Sequence, residues 1–376
     1  MNKAASKSLV PELRFPVLNN TEQWNIKTLG KLSNILRGGS PRPIDSFLTK
    51  DNQGLNWLKI ADVDKNAKYI SHTKERVRIE ALNKTREVHP GDLKTCIHDG
   101  WIAVTDIADE IERDFLYYFI SSGAAQLYFL NSAAGGGIKN LNADIIKLLK
   151  VVYPQEKLEQ IKIADCLTSI DDLITANTNK LNTLMAHKKG LMQQLFPAED
   201  ETIPKLRFAE FSNVGNWKKR NFSTMFEIGG GKDHKHLPDG NIPVYGSGGY
   251  MRSVDSFLYD GESACIGRKG TINKPMFLEG KFWTVDTLFY THTFRDTSPK
   301  FVYLLFQNIN WLKLNEAGGV PSLSKEIINK VEVRVPSLDE QNEIVETVWS
   351  IDKLITEQAQ KIKTLKDHKK GLMQKL

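Results

Sequence analysis

Residue types able to do chemistry are present in this chain but scattered. Gly229-Gly230-Gly231-Lys232 suggests the end of a phosphate loop. However, Asp233 stands where a Ser or Thr would bind magnesium, and Phe226 stands where GxxxxGK needs its first glycine. Gly246-Ser247-Gly248-Gly249 is not GxGxxG, and neither Asn-Pro-Pro-aromatic nor Asp-Pro-Pro-aromatic occurs, so an amino-methyltransferase loop is missing. Of the eight histidines only His234 and His236 lie close together, in a Lys-Asp-His-Lys-His loop. No further metal ligands can be assigned there, and solvated loop histidines are the simpler reading. Ser-His-Asp and Cys-His signatures are absent. The chain is expected to be non-catalytic, with no metal of its own.

Glycine-flanked polar loops offer different chemistry, that of holding nucleic acid. In the first half they supply Arg37, Ser40 and Arg42, then Lys139 and Asn140 after Gly135-Gly136-Gly137; Lys59 and Lys94 are further basic candidates. In the second half they supply Lys232, His234 and Lys235, then Tyr245 and Ser247, then Arg268, Lys269 and Thr271. Glycine lets the main chain approach a phosphate, while Arg and Lys neutralise charge or fork to guanine. A single such loop is usually a solvated hairpin; their presence in both halves is what makes DNA the better reading.

The elements that must position these loops are duplicated. Ser169-Ile170-Asp171-Asp172-Leu173-Ile174-Thr175 recurs as Ser350-Ile351-Asp352-Lys353-Leu354-Ile355-Thr356, and His187-Lys188-Lys189-Gly190-Leu191-Met192-Gln193 recurs unchanged from His368. Leu141 with Ile145-Ile146 recurs as Leu323 with Ile327-Ile328. Pro11-Glu12-Leu13-Arg14-Phe15 echoes Pro204-Lys205-Leu206-Arg207-Phe208, and Trp24 echoes Trp217. A tandem duplication has kept its frame while its inserts diverged.

Ile163, Leu167, Ile170, Ile174, Asn177, Leu181, Leu184, Lys188, Leu191 and Leu195 step by four and three, as do Ile344 through Leu376. Such spacing argues for a coiled coil, with two amphipathic helices packed separately as the alternative. The polar seam positions match between copies, Asn177 with Gln358 and Lys188 with Lys369, as expected of residues that fix register. The helix ends carry His187, Lys188, Gly190 and Met192, repeated as His368, Lys369, Gly371 and Met373. They are read as a protein interface in which glycine permits close helix approach; the alternative is packing of a basic helix end.

Between the helices, roughly residues 20–153 and 209–335 show short β-rich runs such as Trp57-Leu58-Lys59-Ile60 and Phe282-Trp283-Thr284-Val285. Each also has an aromatic helical stretch, at Phe115–Phe119 and Phe301–Phe306, so mixed α/β domains are expected. Composition agrees: 376 residues, 40% hydrophobic and 26% charged, suit two or three globular domains and exclude wholesale disorder. Fifty-one Lys+Arg against 45 Asp+Glu leave a formal charge of +6, too mild for more than a local nucleic-acid patch. Cys96, Cys166 and Cys265 lie far apart without a CxxC pair, which fits a reducing cytoplasm. No signal peptide or apolar run long enough to span a membrane is read.

The combination resembles the specificity subunit of Type I restriction–modification enzymes. The resemblance is carried by Leu184 through Pro197 with its C-terminal copy and by the Pro-x-Leu-Arg-Phe…Trp openings. Tyr-Gly-Ser-Gly-Gly from Tyr245, Gly-Arg-Lys-Gly-Thr from Gly267 and Phe-Trp-Thr-x-Asp from Phe282 add to it. The first insert has Leu93-Lys94-Thr95-Cys96-Ile97-His98-Asp99-Gly100 where the second has Gly-Arg-Lys-Gly-Thr, so contacts transfer less directly there.

The resemblance implies an N-terminal segment (1–19), a first target recognition domain (20–153) and a spacer helix (154–197). A linker with a second recognition domain (198–335) and a second spacer helix (336–376) follow. The fold it implies is mixed α/β (α+β): two recognition domains joined by two long antiparallel coiled-coil helices with pseudo-twofold symmetry. Asn177 and Gln358 would meet near that axis. The function it implies is reading of an asymmetric bipartite site on double-stranded DNA, with two methyltransferase subunits docked on the frame and restriction subunits joining them. S-adenosylmethionine, ATP and magnesium would sit on those partners. A spacer of about 50 Å would hold two readers roughly one DNA turn, about 34 Å, apart. Two other classes remain open: a coiled-coil scaffold without DNA specificity, and an enzyme with an unfamiliar site.

Overall fold

In a computed structural model, the described residues are 11–15, 24–63, 68–70, 72–88, 95–132, 141–199 and 201–375. They form two compact units. Unit 1 combines the first half up to Ala176 with the segment from Ile362 onward, and unit 2 runs from Asn177 to Lys361. The sequence reading treats each spacer helix as a segment of its own. In the structure each long helix is divided between the units, because its two ends bury their apolar stripes in different cores.

Unit 1 runs β1 (Asn25–Thr28), α1 (Leu29–Leu32), β2 (Asn34–Arg37), β3 (Leu48–Thr49), β4 (Leu55–Leu58), β5 (Glu75–Val77), β6 (Arg86–Val88), β7 (Thr95–Ile97) and β8 (Ile102–Thr105). Then come α2 (Arg113–Ser121), α3 (Gly123–Ser132), α4 (Ala143–Lys147), β9 (Lys150–Tyr153) and the start of α5 (Lys157–Leu195). Strand β1 pairs antiparallel with β9, and β2 with β8. A five-stranded sheet is ordered β3-β5-β4-β7-β6, with β4 and β7 parallel.

Unit 2 repeats the plan with β10 (Lys218–Asn221), β11 (Glu227–Gly230), β12 (Asp239–Gly246), β13 (Gly249–Val254), β14 (Tyr259–Asp260), β15 (Ser263–Gly267), β16 (Met276–Leu278), β17 (Lys281–Thr284) and β18 (Leu288–His292). After these follow α6 (Pro299–Asn308), α7 (Lys325–Lys330), β19 (Glu332–Val335) and α8 (Leu338–Lys375). Here β10 pairs with β19, as β1 does with β9, and β12 with β17 is again a parallel pair. Four-stranded sheets β11-β18-β15-β16 and β13-β12-β17-β14 carry the loops of interest.

Local chemistry starts the helices alike in both copies. Asn142 accepts the main-chain N–H of Ile145 at 2.8 Å to cap α4, and Ser324 accepts that of Ile327 at 3.2 Å to cap α7. The aromatic stretches read from the sequence lie in α2 and α6, which bury Phe115, Leu116 and Tyr118 in one unit and Phe301, Leu304 and Phe306 in the other.

The 4–3 seam forms as an antiparallel pair within each unit. In unit 2, Asn177 lies beside Gln358 and Lys188 beside Asp352, while Leu195 shares a core with Ile344 and Val348. In unit 1, Asp171 meets Lys369, and Leu372 and Met373 pack against the core holding Ile163 and Leu167.

The repeated Arg-Phe openings have a structural task. Arg14 grips Glu159 at 2.8 and 2.6 Å, and Arg207 grips Glu340 at 2.8 and 2.7 Å, each by a two-pronged bond. Both carboxylates are almost fully buried, and their hydrogen bonds raise the pKa of Arg14 and Arg207.

Candidate nucleic-acid interface

In unit 2 several of the chosen loops come together through main-chain bonds. The loop after β15 is fixed by Arg268 N–H to Thr287 O at 2.8 Å, and Ser247 Oγ donates to Lys269 O at 2.9 Å. Gly270, at φ +90°, donates its N–H to Pro321 O at 2.8 Å, and Leu323 N–H reaches Arg268 O at 2.9 Å. An isolated bridge between Lys269 and Ser322 completes this stitching. Hence the 267–271 loop and the segment around residues 316–325 form one edge. Between them lies an open cleft of about 700 Å³, lined by Arg268, Lys269, Lys325 and Phe289 among others.

Arg268 and Lys269 are exposed on that edge, with Ser247 beside them. Thr271 is half-buried at its far end. Lys232 and Lys235 are exposed, and the Lys232 main chain bonds Thr284 O and the Trp283 indole. His234 is half-buried, its Nδ1 enclosed without a hydrogen-bond partner among the described residues. Tyr245 packs against the small core of Cys265, Leu278, Phe282 and Leu288, so its ring serves folding first. Its neighbour Tyr250, at the hairpin tip, is the exposed aromatic there.

In unit 1, Arg37 Nε donates to Asp99 O at 3.2 Å and Ser40 Oγ to Asp99 Oδ1 at 2.9 Å. The Ser40 bond, with His98 and Arg42 nearby, lowers the pKa of Asp99. Arg37, Ser40 and Arg42 therefore surround a carboxylate that the sequence reading left out. Lys59 is paired with Glu75 at 2.5 Å, with both side chains about one third exposed. Lys94, Lys139 and Asn140 lie outside the described residues.

Several loop glycines are required by a neighbouring main-chain carbonyl. A Cβ on Gly38 would stand 2.1 Å from His98 O, on Gly231 2.0 Å from Val285 O, and on Gly267 2.1 Å from Thr271 O. Main chain fills the Cβ side of each of these glycines.

The helix-end residues divide by exposure. Lys188 bonds both Asp352 oxygens at 2.7 Å, and Lys369 reaches those of Asp171 at 2.6 and 2.7 Å. Met192 is buried in the unit 2 core and Met373 packs against that of unit 1. These four side chains are engaged inside the chain, leaving His187 and His368 exposed. Gly190 and Gly371 have nothing within 4 Å of a built Cβ, so neither permits a close helix approach within the chain.

Residues missed in the sequence include Asp171 and Asp352, although both lie in the repeated Ser-Ile-Asp segment. The buried Glu159-Gln160 and Glu340-Gln341 pairs were missed as well. Gln160 bonds Glu110 O and Pro154 O at 2.9 and 2.8 Å, and Gln341 bonds Asp296 O and Pro336 O at 3.2 Å each. The repeat itself was the available signal, since both pairs keep the offset of the helices.

The profile of the Type I restriction modification DNA specificity domain matches residues 21–186 and again 215–367, well over half of the chain. The chain belongs to this family.

Among curated relatives, the type I restriction enzyme MjaVIII specificity subunit of Methanocaldococcus jannaschii is 31% identical over 124 residues, 32% of this chain and 27% of that one. The matched stretches span less than half the length of the curated relatives. The type I restriction–modification S subunit from M. genitalium superposes with a TM-score of 0.64, at 17% identity, over 97% of this chain and 98% of that one. A chain from work on complex assembly and conformational transition of the type I R-M system gives 0.52 at 14% identity, over 93% and 96%. These likenesses establish the specificity-subunit fold. No described helix is long and apolar enough to cross a membrane, and no three potential metal ligands gather among the described residues.

Proposed function

We propose that this chain reads an asymmetric bipartite sequence on double-stranded DNA for a Type I restriction–modification complex, one half-site per unit. The observation that carries the reading is a family match in both halves, over a duplicated frame whose recognition loops differ. The frame is shared in kind: Arg–Glu clamp, paired helix ends and a strand pair closing each unit. Loops at equivalent places differ: where the first unit has Arg37-Gly38-Gly39 the second has Gly230-Gly231-Lys232, and where the second has Gly267-Arg268-Lys269-Gly270-Thr271 the first has Thr95-Cys96-Ile97-His98-Asp99-Gly100. Unequal readers imply unequal half-sites.

The chain is a non-catalytic subunit on this reading. Two methyltransferase subunits dock on the helix frame, where Gly190, Gly371 and the exposed His187 and His368 leave room, and restriction subunits join them. S-adenosylmethionine, ATP and magnesium reside on those partners, and adenine is flipped out for methylation there. Three cysteines without disulfides suit a reducing cytoplasm.

The test is adenine-methylation sequencing of a host expressing the chain with its methyltransferase subunit, beside a host lacking the chain. One split, asymmetric methylated motif is expected, and exchanging residues 209–335 should alter only one half. A complex that co-purifies and yields no motif would instead identify a scaffold.

A further inference from the structure

The cleft in unit 2 holds two cations over one aromatic ring. Arg268 stands 6.0 Å and Lys325 Nζ 5.9 Å from the Phe289 ring centroid, and Phe289 is largely buried. Among the described residues, neither cation has a carboxylate within ion-pair distance, although Asp286 and Glu316 line the same cleft. Two like charges directed at one ring repel, and an anion between them removes the penalty.

We propose that this cleft seats one backbone phosphate of the target duplex, held between Arg268 and Lys325 with Phe289 as its floor. The inference rests on the DNA-reading function above and assigns Lys325 to it for the first time. Lys325 donates one hydrogen bond to Ile228 O at 2.6 Å, which leaves two of its three donors for a ligand. The Arg268 guanidinium has only a long contact, 3.5 Å, with Asp286 O. Ser324 Oγ accepts the N–H of Ile327, so its own proton is free to point outward.

The main chain around Arg268 is held by bonds to Thr287 and Leu323, so the charge is positioned before DNA arrives. The carboxylates of Asp286 and Glu316 offset part of the charge. A free inorganic anion therefore gains little there, whereas a duplex held by other loops delivers its phosphate in place. A phosphate contact positions the protein without reading sequence.

The experiment uses the complete methyltransferase–specificity complex and its target duplex, titrated between about 50 and 200 mM KCl. Lys325→Gln and Arg268→Gln should each lower the slope of log K against log salt by about 0.9 or less, and the double variant by less than their sum, because one phosphate is shared. The methylated sequence should stay the same, at lower yield. Lys325→Arg should retain the slope, which separates charge loss from misfolding.

A scan of single methylphosphonates along the duplex provides the second readout. One position should weaken the wild type, weaken Lys325→Gln less, and have no further effect on the double variant. Millimolar inorganic phosphate should not compete. Unchanged slopes, competition by free phosphate, or altered specificity at one base pair would each overturn the phosphate seat while leaving DNA reading intact. A wild-type complex with no salt-dependent affinity for any duplex would instead overturn the function on which the seat rests.

Discussion

The side-chain amide of Gln358 donates to both the side-chain oxygen of Asn177, at 2.8 Å, and its main-chain carbonyl, at 3.0 Å. Both residues are buried, at equivalent positions of the two long helices. A polar pair inside an otherwise apolar seam is a register device, because a shifted pairing would bury these groups unmatched. Gln358→Leu should cost about 1–3 kcal/mol by stranding a buried polar partner. Asn177→Leu with Gln358→Leu should recover most of that loss while relaxing register. Denaturant unfolding and disulfide trapping across the seam would check both, and equal losses in the single and double variants would refute the register role.

The two Arg–Glu clamps join each copy's opening segment to the start of its helix. Removing one member leaves a buried charge uncompensated, so Glu340→Ala should destabilise unit 2 by about 3–5 kcal/mol. Glu159→Ala should act similarly on unit 1. Hydrogen exchange resolved by segment would show protection lost in one unit for each variant; a loss spread evenly over both would contradict this assignment.

Gly190 and Gly371 sit inside helices with open space above them. Alanine there should stabilise the isolated chain by up to about 1 kcal/mol each, since glycine is a poor helix former. If methyltransferase subunits dock on this surface, the same substitutions should weaken the complex. A melting curve together with a pull-down separates the effects, and a more stable chain with undiminished binding would move docking elsewhere.

Alkaline pH should strike unit 1 through Tyr118. Burial, with the nearby Asp171 carboxylate, pushes its phenol up to about 12, while its hydroxyl donates to Asp171 at 2.8 Å. The fold favours the neutral phenol, so this contribution is complete below the ordinary value of 10.0 and is lost as pH rises through about 12. Tyr118→Phe should be less stable at neutral pH and flatter between those limits. Unfolding curves across that range test it, and parallel curves would exclude Tyr118 as the source.

Legibility in the sequence followed the range of the interaction. The seam of α5 and α8 was readable from Ile163 to Leu195 because a helix repeats its face every three or four residues. The aromatic helices α2 and α6 were readable for the same reason. Lys59 with Glu75, Arg37 with Asp99 and the stitching of Lys269 to Ser322 were not readable, because each joins residues that only the folded chain brings together. Lys325 escaped notice because it opens a short helix instead of lying in a glycine loop. The packing role of Gly38 and Gly231 was not readable, since a glycine required by a neighbouring carbonyl looks in sequence like one that lets the backbone approach a phosphate.

Unit 1 takes its final helix segment from beyond unit 2 in the chain. During synthesis, therefore, the first unit emerges before residues 362–375, whose Leu372 and Met373 cover part of its core. Unit 2, drawn from one continuous stretch, can close first. A chain cut after Lys361 should keep a folded second unit and a first unit that proteases attack, so residues 362–375 complete the unit that is translated first.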